Sequence, residues 1–303
     1  MKRRKLFCYS LLLFGFGCAN ITQPNQTVSQ DTTSSSIKKP QKLRFAVSDV
    51  KGIEDLKKDY EALRSLLEKT LELPVEFFPV DSYIAAAAAL QQDQVDLVFT
   101  GPSEYVVMRA RTNALLIGGI KRDRYYPVFV TRDDNSGLKT IKDLKGKKIA
   151  MWELGSTSGY LGPIKLLIEA GLDPKTDVKI ELLGKKGLPA LKDGEVDVWA
   201  GSIRRYDVFL EKEKAIESKF PIFAQGSDLP PDPFVVNSKL DAGWVKEMQQ
   251  KLFQNQEQIL KAIEAADGDK FTKAKLVEVK DSDYEVIRDA YKAIGQGSFI
   301  QKN

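Results

Sequence analysis

Histidine is absent from this chain of 303 residues, and cysteine occurs only at positions 8 and 18. The absence of histidine removes the commonest general base and the commonest transition-metal ligand of proteins. Zinc sites, Ser-His-Asp triads and Cys-His nucleophiles are therefore excluded. We expect no metal, no cofactor and no enzymatic activity, although chemistry based on carboxylates or lysine stays open.

A surplus of charge is also lacking once the four basic residues at positions 2–5 are set aside. The chain has 46 Lys and Arg against 42 Asp and Glu, and these four residues account for the whole difference of +4. Binding to a nucleic-acid backbone needs an excess of Lys and Arg on one face of the protein. The composition therefore argues against a nucleic-acid partner.

The N-terminus has the pattern of a secretion signal. The apolar run over residues 6–16 is shorter than the roughly 20 residues that span a bilayer. Gly17 before Cys18 resembles the cleavage box of bacterial lipoproteins, so we predict a signal peptide over 1–18 with lipidation at Cys18; ordinary cleavage is the alternative. Either product lacks a cysteine pair and is predicted in the periplasm or on the outer face of the cytoplasmic membrane. Residues 19–41 are mostly Ser, Thr, Gln and Asn, which predicts a disordered tether.

The rest of the chain carries one order of predicted elements twice. Short apolar strands alternate with helical periodicity as β-α-β-α-β, which implies parallel strands in an α/β layer. Each copy ends on a Val-Asp strand that is followed by Gly and then Tyr. The first copy has strands at 43–47, 75–80 and 95–99 with helices at 56–71 and 83–91; the second has strands at 148–152, 178–183 and 196–200 with helices at 159–170 and 188–192.

Two polar or proline-rich stretches, residues 132–137 and 226–236, separate the copies from their neighbours. Two such crossings are what two lobes need to hinge about a cleft. Amphipathic helices predicted over 244–266 and 283–294 are expected to pack on the first lobe. The predicted domains are therefore lobe 1, residues 42–131 and 227–303, and lobe 2, residues 132–226.

The most informative segment is the loop Gly155–Pro163, between a strand and a helix of the second copy. The first N–H groups of a helix are unpaired, and the helix dipole favours an anion there. Ser156, Thr157 and Ser158 add three hydroxyl donors, and Gly159 lets the backbone approach closely. The loop predicts a nest for a tetrahedral oxyanion, with helix capping as the alternative. A nucleotide P-loop of the form GxxxxGK[ST] is absent, so a kinase or ATPase has no support.

The first copy has a corresponding loop, Thr100–Tyr105, after its third strand. Ligands of open α/β sheets bind outside the carboxyl ends of the strands, so two such loops can form a clamp. Aromatic residues gather near the same ends, each as suited to packing as to ligand contact: Tyr83, Tyr105, Tyr125, Tyr126, Trp152, Tyr160, Trp199 and Tyr206.

Several of these pieces together resemble the phosphate-, phosphite- and phosphonate-binding proteins that feed ABC importers. The matching pieces are Asp81–Tyr83, Val95–Tyr105, Ser156–Tyr160 with Pro163, Gly194–Asp197 and Pro230–Val236. The resemblance implies a two-lobed periplasmic-binding-protein fold of type II, α/β in each lobe, that closes on its ligand. It also implies docking on a permease in the inner membrane, and we predict that the protein is a monomer.

Carried over by position, the oxyanion cradle of this family falls on Ser156–Ser158 and its first-lobe tyrosine on Tyr83. Members that bind aminoalkylphosphonates resemble one another in an acidic segment where this chain has Leu183–Gly187, with Lys185 and Lys186. Arg204 and Arg205 are also basic where an acid could pair with an amine. We therefore expect a phosphorus oxyanion without a cationic tail; these four basic residues either bind it or form a solvated face.

The complete set of predicted ligand-binding residues spans both lobes. Rival readings are a binding protein for a sulfonate or a thiamine precursor, a sensory binding protein, and an enzyme on this fold. Phosphate, unlike a sulfonate, carries a proton at neutral pH and can donate it in a hydrogen bond to a carboxylate. Glu104, Glu153 and Asp207 are the candidate acceptors. The predicted ligand-binding residues are Tyr83, Thr100, Gly101, Ser103, Tyr105, Ser156, Thr157, Ser158, Gly159, Tyr160, Lys185 and Tyr206.

Overall fold

The computed structural model describes residues 37–49, 52–81, 85–135 and 137–301. The predicted signal segment with Cys18, most of the predicted tether, and Tyr83 lie outside the described residues. Within the described part, eleven strands form two sheets. The strands are β1 (Leu43–Val47), β2 (Val75–Phe77), β3 (Leu97–Phe99), β4 (Leu115–Lys121), β5 (Pro127–Thr131), β6 (Lys148–Met151), β7 (Lys179–Leu182), β8 (Val198–Ser202), β9 (Ile222–Gln225), β10 (Asp232–Val236) and β11 (Lys275–Val277).

The described residues also contain ten α-helices, which cover the faces of the two sheets. No helix among them is long and apolar enough to cross a membrane. The helices are α1 (Ile53–Leu71), α2 (Ala85–Gln91), α3 (Pro102–Thr112), α4 (Gly162–Glu169), α5 (Gly187–Lys192), α6 (Ile203–Glu213), α7 (Ala242–Gln254), α8 (Gln256–Ala266), α9 (Gly268–Phe271) and α10 (Glu285–Ala293).

The first sheet has the strand order β11-β4-β10-β3-β1-β2. β1 pairs in parallel with β2 and β3, as the β-α-β-α-β pattern predicts, whereas β10 runs antiparallel to β3 and β4. Helices α1, α7 and α8 pack on one face of this sheet, and α2, α3 and α10 pack on the other. Because β1 and β3 are parallel neighbours, the residues after them, Ser48 and Thr100, lie at one edge of the sheet.

The second sheet has the strand order β7-β6-β8-β5-β9. β6 pairs in parallel with β7 and β8, again as predicted, and β5 is antiparallel to β8 and β9. β5 therefore belongs to the second sheet, although the predicted boundary at residue 131 placed it in the first lobe. The chain passes from one sheet to the other through residues 122–126 and returns through 226–231. The α/β fold class predicted from the sequence is confirmed.

Two parts of the predicted helix pattern need correction. The helix predicted over 244–266 is two helices, α7 and α8, which meet at Asn255, where φ of −108° and ψ of 24° depart from helical values. The last predicted helix, α10, contacts α4 of the second lobe as well as α3 of the first. It therefore joins both lobes rather than packing on the first alone.

Helices α3 and α6 were not predicted. Each begins just after the carboxyl end of a strand, α3 after β3 and α6 after β8. α3 is buried on most of its surface, so it lacks the polar face that marks an amphipathic helix in a sequence. As a result, the predicted first-lobe loop Thr100–Tyr105 includes the first turn of a helix.

Candidate functional site

The predicted oxyanion loop of the second lobe begins a helix, as expected. Residues Thr157–Leu161 form a wide turn that continues as α4, and the carbonyl of Ser156 accepts hydrogen bonds from Tyr160 and Leu161 at 3.0 and 2.9 Å. Gly159 lies against Trp152, where an added Cβ would be 2.4 Å from the Trp152 Cβ. Glycine is thus required at this position by close packing.

The first-lobe loop also delivers hydroxyl groups to a helix start. The hydroxyls of Thr100 and Ser48 are hydrogen bonded at 2.7 Å, and both residues are buried. Gly101 is extended and Pro102 opens α3, so Ser103 lies in the first turn of that helix. Proline suits this position because the first N–H of a helix has no partner within it.

The two helix starts meet. The backbone N–H of Ser103 donates to Oγ1 of Thr157 at 3.2 Å, and the Thr157 hydroxyl donates to Oγ of Ser103 at 2.9 Å. Both side chains are buried. The structure therefore brings two predicted site residues from different lobes into direct contact, at the positive ends of two helices.

A buried carboxyl group lies beside this contact. Oγ of Ser103 donates to Oε2 of Glu104 at 2.7 Å, and burial raises the pKa of Glu104 to about 7. The other two candidate acceptors are elsewhere: Glu153 is exposed, and Asp207 forms an ion pair with Arg124 at 2.9 Å. Of the three, Glu104 is the one beside the contact between Ser103 and Thr157.

A cavity of about 530 Å³ extends from Ser158 between the lobes. Among its lining side chains, seven are cationic and four are acidic, so its wall carries an excess of positive charge. Tyr125, in the crossing between the sheets, also lines this cavity. Apolar side chains cover one wall: Trp152, Leu188, Pro189, Trp199, Val208 and Phe209.

The four basic residues of the predicted selectivity region differ in position. Lys185 lines the cavity and is exposed, whereas Lys186 is exposed and does not line it. Nε of Arg204 donates to the carbonyl of Asp269 at 2.8 Å, which links α6 to α9 of the first lobe. The Arg205 guanidinium stacks 3.4 Å above the Trp152 ring.

Two ion pairs close to the cleft were missed by the sequence analysis. Arg122, in the first crossing, pairs with Asp232 at the start of β10, and Lys270 on α9 pairs with Asp49 after β1. Asp232 is 1% exposed. The two residues of each ion pair are far apart in sequence and belong to no motif. No local sequence pattern could therefore have predicted these pairs.

Three predicted tyrosines are placed mainly by packing. Tyr105 packs against Tyr284 with the two rings tilted by 58°, and its hydroxyl donates to Asp281 at 2.6 Å, inside the first lobe. Tyr206 is in the core of the second lobe and donates to the carbonyl of Phe220 at 2.8 Å. Tyr160 packs on core residues of both lobes. None of these three lines the cavity in the part of the chain that the structure describes.

The predicted site residues therefore fall into distinct groups. Ser103 and Thr157 form the contact between the lobes, Thr100 and Gly101 precede Ser103 at the start of α3, and Ser158 and Lys185 line the cavity. Ser156 is partly exposed at the loop, where its N–H donates to the carbonyl of Glu153 at 3.2 Å. Among the described residues, no group of three or more His, Cys, Asp or Glu side chains is arranged to hold a metal ion.

A known protein family matches most of the chain. The family model described as "ABC transporter, phosphonate, periplasmic substrate-binding protein" matches residues 45–284. The phosphate-import protein PhnD of Mycolicibacterium smegmatis is 30% identical over 171 residues, 54% of this chain and 50% of that protein. A probable ABC transporter phosphite-binding protein, PhnD1 of Prochlorococcus marinus, is 32% identical over 127 residues, 40% of this chain and 43% of that protein. The aligned part of the chain thus spans about half the length of these curated relatives.

Solved structures show the same fold. PhnD1 from Prochlorococcus marinus in complex with methylphosphonate has a TM-score of 0.67 at 21% identity, covering 85% of this chain and 100% of that one. XAC2383 from Xanthomonas citri bound to ATP has a TM-score of 0.71 at 15% identity, covering 86% of this chain and 98% of that one. These matches confirm the predicted two-lobed architecture.

Proposed function

Because the chain belongs to the family of periplasmic substrate-binding proteins of phosphonate ABC transporters, we propose that it captures a phosphorus oxyanion between its lobes and delivers it to an ABC permease. The observation that carries this proposal is the contact of Ser103 with Thr157, from two helix starts, next in sequence to Ser158, which lines a cavity with a cationic wall. A buried oxyanion needs hydrogen-bond donors and positive potential, and this arrangement supplies both.

The mechanism is closure of the lobes on the ligand. Oxyanion oxygens accept from the hydroxyls and backbone N–H groups of the α3 start and of the Thr157–Leu161 turn. Contacts such as that of Arg204 with the Asp269 carbonyl then hold the outer rim of the cleft together. The closed surface differs from the open one, and a permease distinguishes the two.

The ligand class is a phosphorus oxyanion without a cationic tail. The cavity that Ser158 lines is also lined by Lys185 and Arg205, and the segment Leu183–Gly187 has no acidic residue. A ligand ammonium group would face positive charge there. Phosphate, phosphite and methylphosphonate, which the names of the relatives mention, all satisfy this requirement.

The cavity supports a second candidate within this class, a phosphonate or phosphate monoester with an uncharged organic substituent. A volume of about 530 Å³ lies within the range of pockets that hold organic ligands. Trp199 and Leu188 lie on the wall that such a substituent would contact. Phenylphosphonate is the simplest compound that tests this candidate.

The cellular setting completes the proposal. The protein acts as a monomer in the periplasm, with Cys18 as its lipid anchor and an inner-membrane ABC permease as its partner. It releases its ligand unchanged and does not act as an enzyme. Mass spectrometry of the released ligand tests that statement.

The experiment is a calorimetric titration of the purified chain with phosphate, phosphite, methylphosphonate, phenylphosphonate, 2-aminoethylphosphonate, sulfate and taurine. Trp152 lines the cavity, so its fluorescence is expected to report binding, and Trp152→Phe is the control for that signal. Micromolar or tighter binding of a phosphorus oxyanion supports the proposal. Tightest binding of 2-aminoethylphosphonate would overturn the ligand class, and binding of taurine or sulfate alone would favour a sulfonate-type function.

A further inference from the structure

The carboxyl group of Glu104 ends a hydrogen-bond chain that crosses the cleft. The Thr157 hydroxyl donates to Oγ of Ser103 at 2.9 Å, and the Ser103 hydroxyl donates to Oε2 of Glu104 at 2.7 Å. All three residues are buried. The absence of a side chain at Gly101 makes room for the carboxyl group, since a Cβ on Gly101 would lie 2.6 Å from Oε2 of Glu104.

The direction in which the hydroxyl groups of this hydrogen-bond chain donate decides whether they can bind an anion. A hydroxyl group has one proton to donate. While Glu104 is ionised and can only accept, the protons of Ser103 and Thr157 both point along the chain towards it. An oxyanion placed against these hydroxyls would then meet lone pairs instead of donors. A protonated Glu104 can donate to Oγ of Ser103, and both hydroxyl protons become available to the ligand.

Resting on the proposed function, we propose that Glu104 is a proton-linked positioning residue, so that capture of an oxyanion at Ser103 and Thr157 takes up one proton from solvent onto Glu104. No bond other than this O–H bond forms, and the ligand keeps its own atoms. Binding of unprotonated oxyanions is then favoured when Glu104 is protonated and weakens as pH rises.

The groups around Glu104 are consistent with a carboxyl that titrates near neutral pH. Asp49, after β1, and Lys270, on α9, act on it from the first lobe with opposite signs. Burial opposes ionisation of Asp49, but Lys270 outweighs it and lowers the pKa of Asp49. On α10, burial and Glu104 itself raise the pKa of Tyr291, whose hydroxyl donates to the carbonyl of Ser103 at 3.5 Å. Glu104 itself has a pKa of about 7, raised by burial.

The test is the number of protons taken up when the full chain binds methylphosphonate. Calorimetric titrations are run about one pH unit above the pKa of Glu104, in two buffers with different ionisation enthalpies. Glu104→Gln keeps a side chain that donates to Oγ of Ser103 but cannot titrate. We expect the wild type to take up about one proton more per ligand than this variant, and its affinity to fall about tenfold more per pH unit. Protons carried by the ligand itself cancel in the comparison.

Asp207→Asn is the matched control. Burial also raises the pKa of Asp207, but Asp207 pairs with Arg124 and is not part of the hydrogen-bond chain that ends at Glu104. It should take up as many protons as the wild type. Equal uptake by wild type and Glu104→Gln overturns the inference, as does loss of uptake in Asp207→Asn alone. If Glu104→Gln does not fold, Ser103→Ala replaces it, because this change interrupts the hydrogen-bond chain between Thr157 and Glu104. The Ser103→Ala variant should lose the proton uptake, and retained proton uptake overturns the inference. If wild type shows no binding heat with methylphosphonate or any other phosphorus oxyanion, the proposed function fails and this inference with it.

Discussion

Removing the Thr157 hydroxyl is expected to weaken ligand binding more than it weakens the folded protein. Thr157→Val keeps the shape of the side chain but removes the donor to Oγ of Ser103 and the acceptor of the Ser103 N–H. An intramolecular hydrogen bond contributes about 0.5–1.5 kcal/mol, and a buried donor left without a partner costs about 1–3 kcal/mol. These bonds join the two lobes, and the Thr157 hydroxyl is also a proposed donor to the ligand, so most of the loss falls on the closed, ligand-bound arrangement.

The expected loss of about 1–3 kcal/mol corresponds to a roughly 5- to 150-fold rise in Kd. The assay is calorimetric titration with methylphosphonate, accompanied by urea unfolding of the ligand-free chain. Thr131→Val is the matched control, because the Thr131 hydroxyl is also buried but donates to the carbonyl of Asp197 within the second lobe at 3.0 Å. It should lower the free energy of unfolding by about 1 kcal/mol and leave the Kd unchanged. A Kd for Thr157→Val within about twofold of wild type would show that these hydroxyls do not hold the closed cleft.

Three further predictions concern the walls and floor of the cleft. Gly201→Ala would place a Cβ 2.3 Å from Cζ2 of Trp199, so urea unfolding should show a loss of about 1–3 kcal/mol; Gly137→Ala, which meets open space, is the control, and equal stability of the two variants would contradict the packing argument. Arg122→Met leaves Asp232 as a buried charge without its ion-pair partner, and unfolding should show a loss of about 3–5 kcal/mol. Lys192→Met, which removes the cation of the exposed ion pair with Glu213, should lower the free energy of unfolding by less than about 1 kcal/mol. Similar losses in the two variants would refute the distinction between buried and exposed ion pairs. Because burial raises the pKa of Glu104 from 4.5 to about 7, the native state binds its proton more tightly, and the stability from that proton is complete below pH 4.5 and lost as pH rises through about 7. The loss is at most roughly 3 kcal/mol; Glu104→Gln should flatten this part of the curve of unfolding free energy against pH, and an unchanged curve would exclude Glu104 as its source.

The sequence was sufficient to predict features that depend on neighbouring residues. The apolar strand 43–47, the helical periodicity from Leu56 to Leu71 and the repeated element order all follow from local spacing, and they predict α/β layers. The loop Gly155–Pro163 was recognisable as a helix start because glycines and hydroxyl residues stand between a strand and an apolar helix. Helix α3 was not recognisable, because burial on most sides removes the amphipathic period on which such predictions rest.

What the tertiary structure decided is which of the candidate side chains face one another. Ser103 and Thr157 are separated by 54 residues, and Arg122 and Asp232 by 110, so no local pattern relates them. The sequence left Glu104, Glu153 and Asp207 equivalent as acceptors and treated Tyr105 and Tyr206 as possible ligand contacts. Packing separated them, because it buried Glu104 beside Ser103 and directed both tyrosine hydroxyls into hydrogen bonds within their own lobes. The sequence by itself thus determined the kinds of layer and the helix start that suits an anion, since these depend on residues close in the chain. Which residues face one another between the lobes depends on how the two lobes pack, and only the folded chain defines that.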